Sequence, residues 1–128
     1  MFCFQCEQTA GCTGCTGRAG VCGKEAEIAA LQDQLTGELI GLARASDGHT
    51  LTPRIHQVMI EGLFTTVTNV NFCRETILAQ IEAVRAAKQL LVPDCSACAN
   101  PCGHNDAYDM NRLWTAQEDI RSLKSLIL

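Results

Sequence analysis

No apolar run in this sequence reaches the roughly 18 residues that a membrane-spanning helix needs, so no membrane partner is expected. Basic stripes are absent too. The ten Lys and Arg residues are scattered and the net charge is −4, which speaks against a nucleic-acid or anionic-membrane partner. The opening Met-Phe-Cys-Phe has neither the positive n-region nor the apolar h-region of a secretory signal, so a cytoplasmic location is expected. No strand signal stands outside a helical period, and no repeat recurs at solenoid spacing. There is no Ser/His/Asp set, no phosphate-binding glycine loop and no convincing pair of catalytic carboxylates.

What the sequence does hold is cysteine. The chain has 128 residues, enough for one modest domain, and 47% are apolar, so it can build a core. Nine cysteines in a reducing compartment point to metal ligands or redox groups rather than structural disulfides, and an odd number fits poorly with complete pairing. Five fall within the first 22 residues: Cys3, Cys6, Cys12, Cys15 and Cys22. Gly11, Gly14, Gly17 and Gly20 stand between them, and Gly23 follows the last. Such a segment forms no stable helix or strand alone. Residues 1–24 are therefore expected to be a loop that wraps a bound centre.

The remainder, 25–128, reads as helical. Ile28, Leu31, Leu35, Leu39 and Leu42 step at helical spacing until Ser46-Asp47-Gly48 breaks the pattern. Thr52 before Pro53 is an N-cap followed by proline at the first helical position. Ile55, Met59, Leu63 and Val67 carry that second helix to about Asn69, and Asn71 marks a corner. A third helix spans about Arg74–Leu91, with Ile77, Ile81 and Val84 on one face, and Pro93 stops it. Residues 94–112 form a second cysteine-rich loop. Thr115 with Glu118 has the form of a capping box for a last helix carrying Ile120, Leu123 and Ile127. The expected fold is all-α, a three- to four-helix bundle with an N-terminal cluster-binding loop. The sequence stops inside an apolar helical pattern, "RSLKSLIL", and the expectation is a piece of a longer multidomain protein.

Cys3, Cys6, Cys15 and Cys22 give C-x2-C-x8-C-x6-C. Replacing Cys15 by Cys12 gives C-x2-C-x5-C-x9-C instead. Four thiolates suit an iron–sulfur cluster or zinc. Zinc knuckles come as two close pairs, whereas the second pair here is opened to x6, which favours iron–sulfur. The alternative is a standalone zinc-binding structural module with no redox role.

The stretch "MFCFQCEQTAGCTGCTGRAGVCGK", followed by "EAEIAALQDQL", resembles the N-terminus of the hybrid-cluster proteins, also called prismane proteins or hydroxylamine reductases. The matched residues include Phe2-Cys3, Gln5-Cys6, Thr13-Gly14-Cys15-Thr16, Val21-Cys22-Gly23-Lys24 and Leu31-Gln32-Asp33. "LFTTVTNVNF" and "DIRSLKSLIL" resemble further family segments, so the likeness covers most of the chain. It implies that Cys3, Cys6, Cys15 and Cys22 hold the family's electron-transfer cluster, and the Thr-Gly-Cys-Thr match favours Cys15 over Cys12. The x8 gap resembles members with a [4Fe–4S] cluster; [2Fe–2S] is the alternative, and the x6 gap is one residue longer than in the short type. The resemblance implies that the hybrid iron–sulfur–oxygen cluster, where hydroxylamine is reduced, is held by residues of later domains. No catalytic residue is therefore expected in this chain. Its partners would be those domains, or a complementary chain, and an electron-donor protein.

In the second loop, Cys95, Cys98 and Cys102 are spaced C-x2-C-x3-C, one thiolate short of a closed site. His104, Cys73 or Cys12 could complete a second metal site or redox switch; otherwise this is a loop of reduced cysteines. Asp106 and Asp109, with Tyr108, could form a carboxylate site but read more simply as turn and capping groups; His49 reads as solvated, His56 as a packed or surface histidine, and Phe64 and Trp114 as core.

Overall fold

The computed structural model describes residues 3, 15, 17–67, 72–92, 109, 112 and 115–120. Among the described residues, three helices make up the bundle: α1 (Ala26–Ala45), α2 (Pro53–Val67) and α3 (Arg74–Leu91). Each packs against the other two. There is no strand among the described residues, which bear just two isolated bridges, Cys3 with Cys15 and Ala19 with Glu25.

The helix boundaries follow local chemistry. Ser46 ends α1, its backbone N–H returning to the carbonyls of Leu42 and Ala43. At the start of α2 the Ile55 N–H reaches the Thr52 hydroxyl at 3.4 Å, and Pro53 takes the first helical position, where a missing N–H costs nothing. The third helix begins after Cys73 and ends two residues before Pro93. Residues 68–71, including Asn71, lie outside the described residues. So does most of the last helix that the sequence leads one to expect: residues 118–120 are helical, a start two residues beyond the one that a Thr115–Glu118 capping box implies, and 121–128 lie outside the described residues. Leu123 and Ile127 are not described.

The core is built from Ile28, Leu35, Leu39 and Leu42 of α1, Ile55 and Val58 of α2, and Ile77, Ile81, Val84 and Ala87 of α3. Burying each large aliphatic is worth roughly 1.5–3 kcal/mol. Close approach sets the α1–α2 contact: a Cβ on Gly62 would lie 2.8 Å from Leu39 Cδ2, so glycine lets the two helices meet. The buried stripe of α2 is thus Ile55, Val58 and Gly62. Leu63 and Phe64, expected inside, face outward with 51% and 68% of their surface exposed. They stand one and two residues past Gly62, and 100° per residue carries them off the buried face.

Two side-chain pairs fix how α1 and α3 run. Arg74 Nε donates to Glu27 Oε1 and Arg85 Nε to Glu38 Oε1, each at 2.7 Å. Both pairs are 47 residues apart in sequence, so α1 and α3 are parallel. Their N-termini therefore share one end of the bundle, and the cysteine segment enters at that end. None of the helices described is long and apolar enough to cross a membrane.

Candidate metal centre

The chain reaches α1 through a tight turn that carries Cys22. The Gly20 N–H donates to the Lys24 carbonyl at 2.7 Å, and the Gly23 N–H donates to the Gly20 carbonyl at 2.9 Å. Val21 and Cys22 are thus the central residues of a β-turn. Gly23 closes it at φ +86°, a conformation that suits glycine. Cys22 is exposed at the turn, and neighbouring Val21 keeps 72% of its surface open.

Cys15 approaches the same turn. A Cβ built on Gly20 would lie 3.6 Å from the Cys15 sulfur and 3.6 Å from the Cys22 sulfur. The two sulfurs are therefore no further apart than twice that distance, both beside a buried glycine. Cys3 joins through the backbone, its carbonyl accepting the Cys15 N–H at 2.7 Å. Cys3, Cys15 and Cys22 are all free thiols. Sequence positions 3, 15 and 22 are thus drawn into one neighbourhood, with two of their sulfurs over one backbone position.

Thiols are the donor set that an iron–sulfur centre or zinc requires, and the bare Gly20 backbone leaves a cradle beside two of them. Among the described residues no three His, Cys, Asp or Glu side chains gather closely enough to hold a metal ion. Cys6 and Cys12 lie outside the described residues, as do Cys95, Cys98, Cys102 and His104 of the second loop. Cys73, considered as a further ligand, is exposed before α3, with its thiol 3.5 Å from Glu75 Oε2. The Glu75 carboxyl is held below its ordinary range first by its own backbone N–H and then by that thiol. His49 and His56 are exposed. Asp109 is exposed and its carbonyl accepts the Arg112 N–H, a turn role; Asp106, Tyr108 and Trp114 are not described.

Lys24 is a feature that sequence reasoning missed. It is 1% exposed, and its ammonium donates to Gln32 Oε1 at 2.6 Å. Its carbonyl holds the Cys22 turn, so one residue ties that turn to α1. The available signal was periodicity: Gln32 falls four residues after Ile28 and three before Leu35, on the buried face. The N-termini of α1 and α3 also lie at this end, and their partial positive charge favours anionic thiolates nearby.

Comparison with known proteins shows the family to which the chain belongs. The profile of the Prismane/CO dehydrogenase family matches residues 1–128. The chain is 35% identical to a hydroxylamine reductase of Maridesulfovibrio salexigens, over 100% of this chain and 27% of that protein. It is 36% identical to a hydroxylamine reductase of Clostridium perfringens, again over 100% of this chain and 27% of the relative. For a hydroxylamine reductase of Bacteroides fragilis the figures are 37% identity, 99% and 26%. The chain thus spans about a quarter of the length of these curated relatives. No solved structure gives a significant match.

Proposed function

Because this chain belongs to the Prismane/CO dehydrogenase family, we propose that its first 24 residues bind an iron–sulfur cluster through Cys3, Cys6, Cys15 and Cys22. The cluster is [4Fe–4S], with [2Fe–2S] as the alternative. Bound there, it supplies one-electron transfer between a donor protein and the hybrid cluster of a hydroxylamine reductase, which lies outside these 128 residues. The cytoplasm is the compartment that keeps these thiols reduced and available.

The observation that carries this reading is the convergence of the Cys15 and Cys22 sulfurs on Gly20, with Cys3 hydrogen-bonded to Cys15. The residues of the chain have distinct tasks. The thiolates ligate. The Gly20–Gly23 turn aims Cys22, and Lys24 with Gln32 fastens that turn to α1. The helical bundle is the rigid platform, which sets the geometry and surroundings of the ligands and so the potential of the site. Exposed Val21 and Cys22 place one edge of the site where a donor protein can approach.

Colour tests the reading. The chain purified without oxygen is expected to be brown and to bleach with dithionite. A colourless protein that holds zinc would support the structural module instead.

A further inference from the structure

We infer that Gly20 is a positioning residue of the cysteine site: its missing side chain leaves the space through which Cys15 and Cys22 hold one centre, and a single methyl group there weakens the site without disturbing the empty chain. The inference rests on the proposed ligand roles of Cys15 and Cys22.

Nothing in the empty chain demands glycine at this position. Its backbone is not in the left-handed region; among the described residues positive φ belongs to Gly23 and Gly48. Its two backbone hydrogen bonds, from its N–H to Lys24 and to its carbonyl from Gly23, can be made by any residue but proline. Space is also sufficient. The nearest atoms to an added Cβ are the Lys24 carbonyl oxygen at 3.5 Å and the two sulfurs at 3.6 Å, all ordinary van der Waals distances. Gly62 is the contrast, since a Cβ there meets Leu39 at 2.8 Å.

The case changes when the two sulfurs share a centre. A ligated metal lies about 2.3 Å from a thiolate sulfur. The added methyl lies 3.6 Å from both sulfurs at once, so a centre at that bond length from both would lie within about 6 Å of it. Gly20 is also buried, between the exposed Ala19 and Val21. Alanine would then force either the centre or the ligand sulfurs to move.

The test compares wild type, Gly20→Ala and Cys22→Ala after anaerobic reconstitution with ferrous iron and sulfide. Iron retained per chain is measured against a competing chelator, and the metal-free forms are compared by thermal melting. Gly20→Ala is expected to lower affinity for the centre roughly 10–100-fold, the scale seen when groups supporting a metal site are changed. Its metal-free form is expected to melt at or slightly above the wild-type temperature, because alanine lowers the entropy of the unfolded chain. Retention of iron by Gly20→Ala at the wild-type level, with Cys22→Ala losing it, overturns the inference and leaves the proposed function standing. A lower melting temperature of metal-free Gly20→Ala also overturns it, since the empty fold would then require the glycine. Wild-type retention by Cys22→Ala overturns the ligand assignment itself.

Discussion

A buried ammonium group is costly unless it is hydrogen-bonded, and Lys24 meets that demand through Gln32 while its carbonyl holds the cysteine turn. A hydrogen bond to a charged group contributes about 1.5–3 kcal/mol. Lys24→Met is therefore expected to lower stability by about that amount in urea melts and to reduce iron loading as well; unchanged loading would show that the turn holds its shape without this anchor. The thiols divide differently. Replacing Cys3, Cys6, Cys15 or Cys22 by Ala should each greatly lower iron per chain, whereas Cys12→Ala should leave it unchanged. Iron lost from Cys12→Ala but kept in Cys15→Ala would exchange their roles. The cysteine spacing was legible in the sequence because the cysteines cluster along the chain. Lys24 was not, because a lysine after a glycine reads as solvated until Gln32 is seen to lie on the buried face of α1.

Helices α1 and α3 are joined by a partly buried ionic group. Glu38 accepts from Arg85 at 2.7 Å and from Lys88 at 3.1 Å, and both Glu38 and Lys88 are buried. The Glu38 carboxylate raises the Arg85 guanidinium above its ordinary value, chiefly by that hydrogen bond. Breaking a buried pair from one side costs about 3–5 kcal/mol. Glu38→Ala is expected to fall in that range, and the double change Glu38→Met with Lys88→Met to recover most of it; equal losses in both would mean that packing, not charge, joins the helices. The α1–α2 seam has its own test. Gly62→Val should cost about 1–3 kcal/mol by overpacking against Leu39, and Leu39→Ala in the same chain should recover part of the loss. The limits of α2 and α3 were readable from Thr52-Pro53 and Pro93. The Glu38–Lys88 pair was not, since 50 residues separate partners that meet through the parallel packing of α1 and α3. Phe64 misled for a related reason: its apolar character says nothing of direction, and Gly62, which supplies the contact with Leu39, leaves no apolar signal.

At the scale of the whole molecule, the parallel arrangement gathers what matters at one end. The cysteine turn, the first turn of α1 and the first turn of α3 lie together, while the Glu38 group joins the C-terminal halves of α1 and α3. On the proposed reading, a cluster-bearing loop stands on a three-helix base, and the reducing centre lies outside these 128 residues. Residues 1–128 alone, fully loaded with iron and sulfide, are accordingly expected to show no hydroxylamine reduction with a reduced dye above that of free iron–sulfide. Turnover above that level would reveal a reactive centre within this chain. The most direct test of the central claim is electron paramagnetic resonance of the dithionite-reduced chain, combined with an assay for acid-labile sulfide. The expected result is an iron–sulfur signal with matching iron and sulfide in the wild type, both lost in Cys15→Ala and in Cys22→Ala. A silent chain that contains zinc and no labile sulfide would contradict the account.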